Sequence, residues 1–144
     1  MSMFNLLGPM PPAAELLGRR YLRTEDDPKR IVIAFTGRET FRNLAGHIHG
    51  GLLSAMLDEV MTCTITAATG GTSLGTTISM TVDILHPVAP GPVIGEGAIK
   101  LMGQNIGFAE GRLLVDGNLV ARSTGWCRLI PVEPEWIAAP ASGD

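Results

Sequence analysis

A glycine pair that begins an apolar helix is the part of the sequence with the clearest chemistry. Gly50 and Gly51 follow His49, and Asp58 interrupts the apolar positions about two turns further along. The first amides of a helix have no partner within it, and the helix dipole adds partial positive charge there. Such amides stabilise an oxygen that gains negative charge, whereas a carboxylate can act as a base or a nucleophile. The pattern is typical of an acyl-transfer site.

The two groups cannot reach one carbonyl from a single helix. Asp58 follows Gly50 by about 12 Å along the helix axis, at a rise of about 1.5 Å per residue. If both belong to one site, the carboxylate must come from a second copy of the chain, packed antiparallel. We therefore expect a two-fold dimer with two composite sites.

The surrounding sequence predicts one long helix and several strands. Apolar residues recur at spacings of three and four from His49 to about Thr66, which predicts a helix that lies against a sheet. Strand patterns cover Lys29–Thr36, Thr76–Leu85, Val93–Met102, Phe108–Val115 and Leu119–Ile130. A single strand, a central helix and an antiparallel meander make an α+β fold with the helix on one face of the sheet.

We predict three segments along the chain. Residues 1–28 form an N-terminal arm or short helix, with an apolar patch at Ala13–Leu17 and a polar stretch at Arg23–Pro28 that is typical of a turn. Residues 29–131 form the folded domain. Residues 132–144 form a loosely ordered tail.

Length and composition favour one domain that binds a small molecule. The chain has 144 residues, of which 45% are apolar and 17% charged, and its net charge of −3 argues against a nucleic-acid partner. The uncharged stretch Val60–Val82 is rich in Thr and interrupted by glycines, so we predict no membrane segment.

The termini and the cysteines bear on location. The N-terminus lacks the basic patch and long apolar stretch of a signal peptide, so we expect a cytoplasmic protein. Cys63 and Cys127 have neither the spacing of a metal site nor the density of a disulfide scaffold, and we expect two buried thiols.

A motif in the middle of the chain resembles the hotdog-fold thioesterases of the phenylacetate-pathway (PaaI-like) type. It reads Asn43-x-x-Gly46-x-x-His49-Gly50-Gly51, followed by Asp58. The order of strand, long helix and meander is also similar, so the resemblance covers roughly Lys29 to Ile130. It implies a hotdog fold, in which an antiparallel sheet wraps around one long central helix. It further implies a hydrolase that cleaves acyl-CoA thioesters at sites between the subunits of a homodimer or a dimer of dimers.

The resemblance implies a role for the helix start and its acid. The N–H of Gly50 would polarise the carbonyl, and Asp58 would activate water or attack directly. Gly46 and Gly51 would lie along the bound substrate. Coenzyme A would be part of the substrate and a product, and no other cofactor and no metal is implied.

The resemblance extends to three more polar residues. Asn43 and His49 would orient the substrate or the helix start. Thr77 would match a hydroxyl that positions Asp58 or water, with Thr76 and Ser79 as alternatives.

The coenzyme contacts differ from the family pattern. Many relatives carry a basic residue after a glycine at the end of the third strand, where this chain has Gln104 and Asn105 as the substrate-binding positions. Four other basic residues could bind the phosphates instead: Lys100, Arg112, Arg122 and Arg128.

Other interpretations stay open. His47 and His49 have no third metal ligand at a recognisable spacing, so a metal site is not expected. Asn43 is as well explained as a turn former, and His49 as a residue that holds the loop. A hydratase or dehydratase on the same fold would need a paired acid and histidine that this chain does not show. A non-catalytic acyl-binding module is the third alternative.

Overall fold

The computed structural model describes residues 9–26 and 29–138. The helices are α1 (Pro12–Leu16), α2 (Gly50–Ala68) and α3 (Pro134–Ala138), with a short 3₁₀ turn at Glu39–Phe41. The strands are β1 (Arg20–Asp26), β2 (Lys29–Gly37), β3 (Ser73–Ile84), β4 (Gly91–Met102), β5 (Ile106–Val115) and β6 (Asn118–Pro131).

All six strands form one antiparallel sheet in the order β1-β2-β4-β5-β6-β3. Helix α2 lies across one face of this sheet, which we call the inner face, and contacts β2 to β6. The predicted α+β arrangement is confirmed. Strand β3 follows α2 in the chain but lies at an edge of the sheet, beside the last strand.

Helix α2 is held by burial, as its sequence predicts. Its apolar side chains are almost completely covered, among them Leu53, Met56, Leu57, Val60, Met61 and Ile65. Its last turns are rich in threonine, which has a modest helix propensity. The hydroxyls of Thr64 and Thr66 donate to the carbonyls one turn earlier, at 2.6 and 2.8 Å, so the buried threonines are satisfied within the helix.

Glycines on the inner face let α2 approach the sheet closely. A Cβ at Gly97 would lie 2.0 Å from Thr64 Oγ1, and one at Gly95 would lie 2.4 Å from Val60 Cγ2. Both distances are far below van der Waals contact. The sheet therefore presents bare backbone at the positions where the helix lies over it.

The N-terminal region differs from the prediction in one respect. The apolar patch does form a helix, α1, but the polar stretch predicted as a turn belongs largely to β1, which pairs with β2. Strand β1 forms the other edge of the sheet. Backbone hydrogen bonds join it to β2, and ion pairs add to them, such as the one between Arg30 Nε and Glu25 Oε2 at 3.5 Å. Polar residues are common on such an edge, which is why the apolar alternation of a strand is missing. Residues 1–8, 27 and 28 lie outside the described part of the chain.

The C-terminal segment also contains a helix that was not predicted. Helix α3 begins at Pro134, a residue that is favoured in the first turn of a helix. Residues 139–144 of the predicted tail lie outside the described residues.

A buried ion pair fastens the N-terminal segment to α2. Arg19 bonds to Glu59, and their side chains are only 8% and 17% exposed. The same guanidinium lies 3.2 Å from the sulfur of Cys63. Burial, followed by the charge of Glu59, raises the pKa of the Cys63 thiol strongly. Glu59 is thus structural, one residue away from Asp58.

Within the described residues, none of the helices combines the length and the hydropathy that crossing a membrane requires.

Candidate active site

The loop before α2 is shaped by Asn43. Its Oδ1 accepts hydrogen bonds from the amides of Ala45 and His47, at 3.0 and 3.1 Å, and its own amide donates to the carbonyl of His47 at 2.7 Å. Gly46 lies in this loop with a φ of +88°, a conformation that favours glycine. Asn43 and Gly46 therefore determine the course of the chain into the helix, which corresponds to the loop-forming alternative for Asn43.

His49 caps the N-terminus of α2. Its Nδ1 accepts a hydrogen bond from the amide of Gly51 at 3.1 Å. An accepting Nδ1 carries no proton, so in the neutral ring the proton is on Nε2. The side chain is exposed. His49 thus holds the helix start with one nitrogen and can present the other as a donor to a ligand.

Gly50 has a free amide. The amides of Leu52 and Leu53 both donate to the carbonyl of His49, and the amide of Gly51 donates to its ring. In residues 9–26 and 29–138 the amide of Gly50 finds no acceptor at hydrogen-bond distance. The donor that the sequence predicts at the start of α2 is present at Gly50, whereas the Gly51 amide is used within the chain.

Asp58 is half-buried on the side of α2 that lies under β3. Its Oδ1 accepts a hydrogen bond from the hydroxyl of Thr77. Of the three hydroxyls that the sequence left open, Thr77 is the one that contacts the carboxylate, while Thr76 donates to the carbonyl of Arg128. A carboxylate that is held by a hydroxyl and still reaches solvent has the environment of a general base or a nucleophile.

A β-bulge directly after Thr77 gives β3 its local geometry. The register with β6 pairs Thr77 with Cys127 and Ser79 with Trp126, so Ile78 is the extra residue. As a result, Thr77 and Met80 both face the inner side of the sheet. In a regular strand, two residues that are three apart in sequence would face opposite sides. Bulges often aim side chains at functional sites, and no pattern in the sequence predicts this one.

Cys127 is a further residue near Asp58, and no motif in the sequence points to it. The prediction of two buried free thiols is confirmed. Cys127, however, lies opposite Thr77 in the register, and both burial and the nearby charge of Asp58 raise the pKa of its thiol. Only the pairing of β3 with β6 reveals this neighbourhood, because the two residues are far apart in sequence.

The fold leaves the other predicted residues apart from Asp58. Gly50 lies on the same helix as Asp58 and about 12 Å from it along the axis. Gln104 and Asn105 lie in the exposed turn between β4 and β5, and β6 separates β5 from β3. One copy of the chain therefore brings together Asp58 and Thr77, with His49 and Gly50 at a separate point.

The candidate phosphate-binding residues lie on the outer face of the sheet, opposite α2. Arg112 and Arg122 are directly paired across β5 and β6, and each has a carboxylate partner, Glu96 at 3.4 Å and Asp83 at 3.2 Å. They line a surface groove of about 300 Å³. The sheet separates these arginines from Asp58.

The described residues contain no group of three His, Cys, Asp or Glu side chains that could hold a metal ion.

Comparison with known proteins assigns the family. The model of the thioesterase superfamily matches residues 45–121, which is more than half of the chain and includes Gly50, Asp58 and Thr77. A search of curated proteins finds no match.

Solved structures share the fold. A phenylacetic acid degradation-related protein from Ralstonia eutropha is 28% identical, with a TM-score of 0.79 over 84% of this chain and 92% of that one. The Escherichia coli PaaI protein from the phenylacetic acid degradation operon is 18% identical, with a TM-score of 0.71 over 83% and 85% of the two chains. A thioesterase from Haemophilus influenzae is 17% identical, with a TM-score of 0.74 over 83% and 82%. The chain thus belongs to the thioesterase superfamily, and it is a hotdog-fold hydrolase that acts on thioesters.

Proposed function

We propose that the protein hydrolyses acyl-CoA thioesters to the free acid and coenzyme A, with Asp58 as the reacting carboxylate. The observation that carries the proposal is the hydrogen bond from Thr77 to the half-buried Asp58, on the side of α2 that lies under β3. The free amide of Gly50 supports it, because an acyl transfer needs a donor for the oxygen that becomes negative.

The proposed reaction uses only groups of the chain and water. Asp58 takes a proton from a water molecule, and the hydroxide attacks the carbonyl carbon of the thioester. The carbonyl oxygen becomes an oxyanion that the Gly50 amide stabilises. The C–S bond then breaks, and the leaving thiolate takes the proton from Asp58. In the alternative, Asp58 attacks the carbon itself, and water hydrolyses the resulting anhydride.

The site is proposed to be completed by a second copy of the chain. Strand β3 is a sheet edge of 12 residues, and its Ile78 and Ile84 are 56% and 45% exposed. Such an edge is suited to pairing with another strand. Asp58 lies beside Thr77 and Gly50 beside Ile84, so α2 runs antiparallel to β3.

That orientation favours a composite site. If β3 pairs antiparallel with β3 of a second copy, the two α2 helices also run in opposite directions. The start of one helix then approaches the middle of the other, and Gly50 of one copy approaches Asp58 of its partner. We propose a homodimer with two such sites, and a dimer of dimers would preserve them.

The substrate is proposed from chemistry and from the similar proteins. Two of the similar structures are phenylacetic acid degradation proteins, which makes phenylacetyl-CoA the first thioester to assay. Both cysteines of the chain are free, as is usual in the cytoplasm, where we place the reaction.

Replacement of Asp58 tests the proposal. We expect Asp58→Asn and Asp58→Ala to lower kcat by at least about 10²-fold, because each removes a positioned base or nucleophile. The measurement is thiol release from a panel of aromatic, short and long acyl-CoA thioesters, with circular dichroism as the control for folding. Near-normal hydrolysis by either variant contradicts the proposal.

The same assay separates the alternatives. A protein that binds acyl-CoA but releases no thiol from any member of the panel is a binding module. A protein that hydrates an enoyl-CoA without releasing thiol is a hydratase.

A further inference from the structure

Three residues of α2 that follow one another at intervals of four form a ridge along β3. Residues at this spacing lie on the same side of a helix. At one end of the ridge, a Cβ at Gly50 would lie 2.9 Å from Ile84 Cδ1, and at the other end Asp58 accepts the hydrogen bond of Thr77. The half-buried Ser54 lies midway between them. The ridge therefore lies on the side of the exposed edge strand through which we propose that two copies join.

The proposed composite site determines where the two-fold axis meets α2. A two-fold axis places each residue of α2 beside the residue of the partner helix that is equally far from the axis in the opposite direction. If Gly50 of one copy lies opposite Asp58 of its partner, the axis passes midway between these two positions. The midpoint is Ser54, which is four residues, or about 6 Å along the helix, from each.

We propose that Ser54 lies on the two-fold axis of the dimer, packs against Ser54 of the partner subunit, and so sets the distance between Gly50 and Asp58 in both composite sites. The inference rests on the proposed function, because the shared site is what places the axis. Ser54 touches no reacting atom in this arrangement. It is a positioning residue, which acts through the separation of the two helices.

The size and the hydrogen bonding of serine suit such a contact. The axes of packed helices lie about 8 to 10 Å apart, depending on the side chains at the contact, and a small side chain permits the closer approach. The hydroxyl of Ser54 donates to the carbonyl of Gly50 at 2.8 Å. It keeps this hydrogen bond when a partner helix covers it, so the contact buries no donor without an acceptor.

A cysteine at this position tests the location of the axis without any substrate. A disulfide spans Cα atoms that are about 4.4 to 6.8 Å apart, a separation that two facing residues of closely packed helices reach. We expect oxidation to convert Ser54→Cys into a covalent dimer with one disulfide on the axis. The native cysteines are free and buried, so the wild type should stay unlinked. Non-reducing gel electrophoresis is the measurement.

Ala68 provides the matched control on the same helix. It is half-buried, as Ser54 is, and follows Ser54 by nearly four turns, so that both residues lie on a similar side of α2. The two copies of Ala68 would be about 42 Å apart along the helices, at a rise of about 1.5 Å per residue. We expect Ala68→Cys to stay unlinked. Failure of Ser54→Cys to link, or equal linking of the two variants, overturns the proposal.

The size of the side chain at position 54 tests the positioning role. Ser54→Leu should hold the helices further apart, and a displacement of about 1 Å is enough to lower kcat by about 10²-fold. Ser54→Ala is no larger than serine and is expected to retain most of the activity. Ala68→Leu adds bulk far from the axis and is expected to keep kcat within about threefold of the wild type.

Circular dichroism and sedimentation show whether each leucine variant is folded and dimeric. A folded Ser54→Leu variant that is as active as Ala68→Leu overturns the positioning role. If Ser54→Leu does not fold, the activity of the linked Ser54→Cys dimer decides. A disulfide on the axis crosses neither site, so the linked dimer should keep kcat within about twofold of its reduced form. Loss of activity on linking that returns on reduction overturns the proposal.

The two kinds of test also separate this inference from the proposed function. Full activity of the Asp58 variants defeats the function, whereas the linking of Ser54→Cys needs no substrate and stands by itself. Inactive Asp58 variants together with an unlinked Ser54→Cys defeat the location of the axis alone.

Discussion

The chemistry at the start of α2 depends on which amides the chain itself uses. The ring of His49 accepts a hydrogen bond from the amide of Gly51, and the carbonyl of His49 accepts hydrogen bonds from the amides of Leu52 and Leu53. The amide of Gly50 is therefore left as a free donor. The sequence shows two glycines after His49 at this point, but the cap and the assignment of each amide follow from the helix geometry. We therefore propose Gly50 as the donor to the oxyanion, whereas the amide of Gly51 serves the helix cap.

A proline at Gly50 removes this donor with little disturbance of the fold. Gly50 is the first residue of α2, where proline is favoured, and His49 before it has φ −57° and ψ 134°, which suits a residue before proline. We expect Gly50→Pro to lower kcat by about 10² to 10³-fold, as for the loss of an oxyanion donor.

Gly50→Ala is the matched control for that variant. It retains the amide, and its Cβ would meet only the end of the Ile84 side chain, at 2.9 Å, which can move aside. We expect most of the activity to remain. Equal losses in the Pro and Ala variants, measured by thiol release, would mean that the amide is not the donor.

At the scale of elements, the position of Asp58 depends on how closely α2 lies on the sheet. The bare backbone at Gly97 and the bulge in β3 bring the helix and Thr77 within reach of one another. The helix periodicity and most strands were predictable from residue patterns alone. The bulge and the edge strand β1 were not, because both arise from pairing between strands rather than from local preference.

A side chain at Gly97 should loosen this packing. The Cβ of Gly97→Ala would lie 2.0 Å from Thr64 Oγ1 and 2.9 Å from Val60 Cγ1, and both neighbours are stiff, β-branched residues. We expect the free energy of unfolding to fall by about 2 kcal/mol, as for overpacking of a core. Urea denaturation measures the loss.

Gly107→Ala serves as the comparison. Its Cβ would meet the end of the Ile65 side chain at 2.6 Å and the sulfur of Met102 at 3.2 Å, and these ends can rotate away. We therefore expect a smaller loss than at Gly97. Equal losses at the two positions would show that the stiffness of the neighbours has no influence.

At the scale of the whole molecule, the sheet of one copy ends in the exposed edge β3, next to the half-buried Asp58. The separation of Gly50 and Asp58 along α2 follows from the sequence alone, and it led to the expectation of a composite site. The location of β3 at the edge comes from the topology, and it supplies the surface through which we propose that two copies join.

Mixing two inactive variants tests whether the sites are shared. When Asp58→Ala and Gly50→Pro are coexpressed with different tags, a hybrid dimer has one site with both defects and one with neither. One of the two sites of the hybrid is then intact, so we expect the doubly purified hybrid to have about half of the wild-type activity. Thiol release by the doubly purified hybrid is the measurement. A hybrid without activity, and of dimer mass in sedimentation, contradicts a composite site.

The sequence by itself determined the local features of this protein. The period of its apolar residues predicts α2 and most of the strands, because helix and strand formation depend on neighbours in the chain. The run from Asn43 to Asp58 likewise lies within one stretch of the chain, and it indicates which residues could react. The tertiary structure alone decided which hydroxyl contacts Asp58, that Cys127 lies opposite Thr77, and which face of the sheet holds Arg112 and Arg122. These are contacts between distant strands, and they depend on register and bulges, which the free energy of the whole packed sheet determines.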